Sequence, residues 1–113
     1  MNGESEARPS GYAKPVIVPD RLEALCGPTQ GVVSLPRHLK WSGNSRYDLA
    51  QPGRIRDLYR AVLNEATSAE DLATYLDHEM LVRLWPSMWL PLSVRRTWET
   101  RFPALRDSRR SAA

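Results

Sequence analysis

The sequence has almost no cysteine and no long apolar run. Cys26 is the only cysteine among 113 residues, which excludes an internal disulfide framework and favours a reducing compartment. No stretch approaches the roughly 18 consecutive apolar residues that a membrane-spanning helix needs. The first residues also lack the apolar segment of a signal peptide. We therefore expect a cytoplasmic protein that has no membrane partner.

Signatures of catalysis are missing as well. The nucleophile-elbow, Walker and dinucleotide-binding motifs do not occur. His38 and His78 are far apart in the chain, and neither lies in a metal-ligand spacing. Asp77 and Glu79 are better explained as the cap and first-turn charge of a helix than as an acid pair. The sequence predicts a protein that is not an enzyme, with no metal, no cofactor and no small-molecule substrate.

Composition divides the chain into three parts. Residues 1–31 are rich in proline and glycine, which predicts an extended, largely disordered, flexible leader. Residues 32–105 carry the apolar spacing of a helical domain, and residues 106–113 form an Arg- and Ser-rich tail that we expect to be disordered. A domain of this size buries only about 60% of its unfolded surface. Its stability is therefore expected to be marginal without a partner.

The clearest periodicity lies in residues 52–66. Apolar side chains recur there at the spacing of one buried helical stripe, at Ile55, Leu58, Tyr59, Val62, Leu63 and Ala66. Pro52 suits the first turn of such a helix, because its missing N–H has no helical partner there. We expect everything downstream to supply short apolar segments that cover this stripe.

Three more helices are expected after the central one. The second covers about residues 69–76, with Thr67 or Ser68 as its N-cap. The third begins after Asp77 and is ended by Pro86, and the fourth runs to about Phe102. Since no strand pattern is convincing, the predicted class is an all-α domain of about four short helices.

Charge is unevenly distributed along the chain. Residues 65–79 hold five acidic residues and no Lys or Arg, whereas residues 95–113 hold six Arg against two acids. A solvated charge face is the commoner meaning of such segments. The more specific interpretation of the Arg-rich segment is recognition of carboxylate or phosphate groups, for which the planar guanidinium is well suited. Both interpretations stay open at this stage.

The content of aromatic residues is unusual, because this short chain has four tryptophans. Trp85 and Trp98 lie on apolar helical stripes and are expected in the core. Trp89 lies between two prolines, where no stripe explains it, so it is equally a candidate for a surface anchor. Because Trp and Arg dominate interface hot spots, the candidate partner-binding residues are Trp41, Tyr47, Trp85, Trp89, Arg95, Arg96 and Arg101.

Between Leu35 and Leu105 the sequence resembles a known family. The first resembling motifs are Leu35-Pro36-x-x-Leu39-x-Trp41, Tyr47-Asp48-Leu49 and Leu58-Tyr59-x-x-Val62-Leu63. The later ones are Asp71-Leu72-x-x-Tyr75-Leu76-Asp77, Leu81-x-x-Leu84-Trp85 and Leu90-Pro91-x-x-Val94-Arg95-x-x-Trp98. They are similar to the small actinobacterial antitoxins encoded beside nucleotidyltransferase-fold toxins of the AbiE type. The leader is not part of the resemblance.

The resemblance implies a protein–protein role. In the implied system the toxin transfers nucleotides onto RNA acceptors such as tRNA, and the antitoxin neutralises it by direct binding. The Gly-Ser…Asp-x-Asp signature of the transferase is absent from this chain, which fits the partner rather than the enzyme. We expect occlusion of the substrate cleft by the third and fourth helices, with Trp89 as anchor and Arg95 and Arg96 near the cleft.

Two other functions compete with this one. The alternative is a small helix-turn-helix-like regulator, in which the segment from Leu92 to Phe102 is the recognition helix and Arg95, Arg96 and Arg101 contact promoter DNA. An adaptor domain without a toxin partner is equally compatible with the residues.

Overall fold

A computed structural model describes residues 15–40 and 43–112, with only the backbone described for 109–112. Its strands are β1 (Val32–Ser34) and β2 (Arg46–Asp48), and its helices are α1 (Arg54–Glu65), α2 (Ala69–Tyr75), α3 (His78–Leu84), α4 (Leu92–Arg101) and α5 (Pro103–Ala112). Single 3-10 turns occupy Leu22–Ala24 and Trp85–Ser87. The expectation of a mainly helical domain is confirmed. The strict all-α class and the count of four helices are corrected by the hairpin and by α5.

The two strands form a short antiparallel hairpin. Val33 pairs with Tyr47, and both are buried while the flanking strand residues are more exposed. Such a pair of β-branched and aromatic side chains is a favourable cross-strand contact. Each strand has only three residues, which is too short for a period of two to stand out in the sequence.

Helix α1 buries the stripe that its sequence predicts. Leu58, Tyr59, Val62 and Leu63 are all buried. The helix begins at Arg54 rather than in the turn at Pro52, because Gly53 adopts a left-handed conformation with φ of 82°. A glycine takes that conformation without steric cost.

Side-chain caps fix the start of α2 and of α3. The Ser68 hydroxyl accepts the Asp71 amide N–H, which decides between the two predicted N-cap candidates. The Asp77 carboxylate accepts the Met80 amide N–H at 3.0 Å. Both caps satisfy amides that have no partner within their helix.

The predicted disordered tail is wrong for residues 106–112, which lie in α5. Pro103 does not stop the chain in a loop but begins α5, a position that suits its fixed φ and missing N–H. Leu105 is fully buried, and the Ser108 hydroxyl donates to the Val82 carbonyl of α3 at 2.7 Å. Residues 106–112 are therefore helical.

The predicted flexible leader is wrong for residues 15–31, the part of the leader that the structure describes. Leu22 and Leu25 are buried in the main core, and the Arg101 guanidinium donates to the Asp20 carbonyl at 2.6 Å. Apolar side chains at this end of the chain thus supply core area that the helices alone lack. Residues 1–14 lie outside the described residues.

The same segment caps α2 from outside. The Cys26 amide donates to the Ala73 carbonyl at 3.1 Å, and the Gly27 amide donates to the Leu76 carbonyl at 2.7 Å. Terminal helix carbonyls otherwise have no partner within the helix. A Cβ atom on Gly27 would lie only 2.4 Å from the Tyr75 carbonyl carbon, so only glycine permits this approach.

Replacing Gly27 tests whether the leader segment belongs to the folded domain. We expect Gly27→Ala to lower the free energy of unfolding by about 3 kcal/mol, because backbone atoms must separate to admit the methyl group. Cys26→Ala is the control. The Cys26 side chain is exposed and the variant keeps the backbone hydrogen bond to Ala73, so we expect the free energy of unfolding to change by less than about 0.5 kcal/mol. Equal urea midpoints for the two variants would contradict the packing.

Tyr59 links the centre of α1 to the start of α3. Its hydroxyl accepts the Asp77 amide N–H at 2.9 Å, and its side chain is fully buried. Burial raises the pKa of Tyr59 to about 12, and the hydrogen bond from Asp77 only partly opposes that rise. The folded state therefore favours the neutral phenol more than the unfolded chain does.

This raised pKa makes stability sensitive to alkali. Below pH 10 the phenol is neutral in both states, and between about pH 10 and 12 only the unfolded chain loses the proton. The free energy of unfolding is expected to fall across that window. Urea titrations of Tyr59→Phe should show a shallower fall, and identical slopes for the two proteins would refute the burial effect.

Candidate functional site

The segment between α3 and α4 is anchored at its start. After the 3-10 turn, residues 88–91 form an extended connector that leads to Leu92 at the start of α4. The Ser87 hydroxyl donates to the Leu84 carbonyl at 2.9 Å and accepts from Arg56 of α1 at 3.0 Å. The connector therefore leaves the helices from a position fixed by both α3 and α1.

Side chains alternate along the connector. Met88 and Leu90 are buried, whereas Trp89 between them is 75% exposed. Successive side chains of an extended backbone point to opposite sides, so the two buried neighbours direct the Trp89 indole outward. The structure thus places Trp89 on the surface, outside every apolar helix stripe.

A buried polar cluster lies beside this connector. The Trp85 indole N–H donates to the Glu99 carboxylate at 2.8 Å, and both side chains are buried. The Arg95 guanidinium lies 3.5 Å from the same carboxylate oxygen and 5.2 Å from the centre of the Trp85 ring. A buried carboxylate is costly unless it is paired and hydrogen-bonded, and this arrangement supplies both.

Arg95 also reaches the connector itself. Its second guanidinium nitrogen donates to the Met88 carbonyl, and its own amide donates to the Pro91 carbonyl at 3.0 Å. The side chain is mostly buried. Arg95, which the sequence analysis placed at a partner's cleft, is therefore committed to contacts inside the protein.

Helix α4 begins at Leu92, three residues after Trp89. Leu92 is 61% exposed, and it lines a depression of about 460 Å³ together with Arg95, Arg96, Glu99, Thr100 and Arg106 of α5. We call Trp89, Leu92, Arg96 and Arg106 the Trp89 surface. It combines two exposed apolar side chains with two guanidinium groups.

Two of the predicted partner-binding residues are buried, so the prediction that they bind a partner is wrong. Trp85 has no exposed surface and packs on Trp98 with ring centres 6.1 Å apart. Tyr47 is buried in the hairpin, with the Arg54 guanidinium 4.4 Å from its ring centre. Burial also raises the pKa of Tyr47. Neither side chain presents a surface to a partner in this fold.

The other predicted residues have separate positions. Trp41 lies outside the described residues. Arg101 is exposed but donates to the Asp20 carbonyl, which ties α4 to the leader segment. Of the predicted set, Trp89 and Arg96 are exposed, and Arg96 and Arg101 line one depression on α4.

Two residues of the Trp89 surface were not identified from the sequence. Leu92 lies off the stripe formed by Val94 and Trp98, and its spacing of four from Arg96 was the available signal for a second helix face. Arg106 was assigned to the tail, and no local signal placed it against α4.

The acidic segment is largely used to build the fold. The Asp71 carboxylate accepts the Thr67 amide at 3.0 Å and lies 3.0 Å from the His38 ring nitrogen. Partial burial raises the pKa of Asp71, but these hydrogen bonds outweigh it and hold the pKa below its usual value. Asp77 caps α3. This segment is therefore not the continuous acidic binding face that its composition indicates.

A second depression lies between the hairpin residue Tyr47 and α1. It has a volume of about 520 Å³ and is lined by Lys40, Asn44, Tyr47, Arg54, Asp57, Arg60, Ala61 and Asn64. Its central cation, Arg54, is already paired with Asp57 at 3.0 Å and donates to the Arg46 carbonyl. The depression is thus more neutral than its basic lining indicates.

The described residues contain no cluster of three or more His, Cys, Asp and Glu side chains that would hold a metal ion. Within the same residues, no helix has both the length and the apolar character needed to cross a membrane. Comparison of the chain with protein-family models, curated proteins and solved structures finds no match.

A pair of tryptophan substitutions tests the buried cluster. Trp85→Phe leaves the Glu99 carboxylate without the indole donor, whereas the Trp98 indole N–H is buried with no hydrogen-bond partner among the described residues. We expect Trp85→Phe to cost about 2 kcal/mol more than Trp98→Phe in urea unfolding, because only the first breaks a bond to a charged group. Equal costs would contradict the assigned role of Glu99.

Proposed function

We propose that this protein is a cytoplasmic antitoxin that neutralises a nucleotidyltransferase-fold toxin by binding it directly and covering its substrate cleft. The observation that carries the proposal is the exposure of Trp89 on a connector whose neighbouring residues are buried. A large exposed indole on a fixed backbone is a typical interface anchor. The sequence resemblance between Leu35 and Leu105 supplies the class of partner.

The chemistry of the Trp89 surface fits a cleft that offers both apolar area and carboxylates. Trp89 and Leu92 offer apolar area, while Arg96 and Arg106 offer guanidinium groups. A nucleotidyltransferase needs carboxylates to hold the divalent cations that bind its nucleotide. Guanidinium groups pair with carboxylates in a planar, two-bond geometry. Binding there would block access of both nucleotide and RNA.

Contacts within the fold weigh against the alternative of a DNA-binding regulator. That alternative needs Arg95, Arg96 and Arg101 to reach phosphates or guanine edges. Two of the three are already engaged, Arg95 with the Met88 carbonyl and Arg101 with the Asp20 carbonyl. The protein-binding function requires only Arg96 and the exposed apolar residues, so it is the one we favour.

The proposal requires a nucleotidyltransferase encoded beside this protein's gene, and the test uses that enzyme. The full chain is expected to inhibit transfer of nucleotides onto tRNA, and Trp89→Ala should weaken inhibition by about 30-fold or more, as loss of an interface hot spot does. Val32→Ala removes a comparably exposed apolar side chain on β1 and should inhibit like the wild type.

Near-ultraviolet circular dichroism from the buried pair Trp85 and Trp98 confirms that each variant is folded. Full transferase activity in the presence of wild-type protein would overturn the proposal. Unchanged inhibition by folded Trp89→Ala would remove the Trp89 surface from it.

A further inference from the structure

We infer that Arg95 is a positioning residue: it holds the connector so that Trp89 is presented in one direction, and its own guanidinium does not contact the partner. The use of this arrangement in binding rests on the proposed function. The arrangement itself is a property of the free protein.

The Arg95 side chain holds the start of the connector. Its guanidinium binds the Met88 carbonyl, whereas its amide makes the ordinary first-turn helix bond to the Pro91 carbonyl at 3.0 Å. The Met88 carbonyl belongs to the same planar peptide unit as the Trp89 amide. Fixing that carbonyl therefore fixes the plane from which the Trp89 side chain departs.

The guanidinium is itself held on two sides. Glu99 provides a carboxylate oxygen at 3.5 Å, and the Trp85 ring centre lies at 5.2 Å. Glu99 is oriented in turn by the Trp85 indole N–H at 2.8 Å. Three side chains from the 3-10 turn and α4 thus contact one another, and these contacts restrain Arg95 at the Met88 carbonyl.

The tether acts together with the other contacts of the connector. The Met88 amide reaches the Trp85 carbonyl at 3.3 Å, which fixes only the beginning of the segment. Met88 and Leu90 are packed in the core, but Trp89 is exposed and gains no packing of its own. An anchor that is ordered before binding avoids losing conformational entropy on binding.

The direct test is the backbone order of the connector in the free, full-length protein, measured by ¹⁵N relaxation. In the wild type, the order parameter of the Trp89 amide is expected near the value of about 0.85 typical of rigid backbone. Arg95→Lys keeps a cation for Glu99 but lacks the second guanidinium nitrogen, which donates to the Met88 carbonyl. It should lower the Trp89 value toward about 0.6, the range of flexible backbone.

A second variant separates the tether from the charge pair. Arg95→Met combined with Glu99→Gln removes both charges while leaving an oxygen acceptor for the Trp85 indole, and it should mobilise Trp89 in the same way. Arg96→Met changes charge at the neighbouring position and should leave Trp89 rigid. A merely structural role of Arg95 would change order throughout the chain, so the amides of α1 serve as the internal reference.

Two results would overturn the inference. One is a mobile Trp89 amide in the wild type, a measurement that stands even if a variant fails to fold. The other is a Trp89 amide that stays rigid in folded Arg95→Lys.

Binding to the transferase separates this inference from the proposed function. Arg95→Lys is expected to weaken binding by about two- to tenfold, the cost of ordering one side chain and its backbone. If the wild type does not bind the transferase while the relaxation results hold, the proposed function fails and the positioning role stands. Binding by Arg95→Lys equal to the wild type would show that the tether has no role in recognition.

Discussion

The hydrogen bond from the Trp85 indole to the Glu99 carboxylate is the interaction on which the arrangement of the second half of the chain depends. It joins the turn after α3 to the middle of α4 inside the core, where an unpaired carboxylate would be strongly unfavourable. Arg95 balances that charge and extends the same set of contacts to the Met88 carbonyl. These contacts therefore join α4 to the connector, on which Met88 and Leu90 are buried and Trp89 is exposed.

A small domain buries a smaller share of its unfolded surface than a large one, so its core gives only marginal stability. This chain adds area from three places outside the predicted helices: the leader segment with Leu22 and Leu25, the hairpin with Val33 and Tyr47, and Leu105 in α5. The leader segment also supplies the amides of residues 26 and 27, which satisfy carbonyls at the end of α2. Segments that are distant in sequence thus add buried apolar area and helix-capping hydrogen bonds, which partly compensate for the small size of the core.

Local signals made part of this structure predictable. Ser68 and Asp77 cap their helices through contacts three residues away, so a short window of sequence contains the whole interaction. The leader was misjudged because proline and glycine content describes local flexibility, whereas Gly27 is needed for a close approach to Tyr75, distant in the chain. At the candidate site, the spacing between prolines marked Trp89 as unusual. Sequence alone did not show that Arg95 turns inward, because that depends on the burial of Glu99.

Under the proposed function, recognition takes place on the small Trp89 surface, whereas Arg95, Glu99, Asp71 and Asp77 build the fold. Hydrogen–deuterium exchange of the full chain, with and without the nucleotidyltransferase that the proposal requires, tests this most directly. Binding through the Trp89 surface predicts slower exchange at the amides of residues 88–96 and unchanged exchange in β1 and β2. Protection confined to the hairpin, or no protection anywhere in the chain, would contradict it.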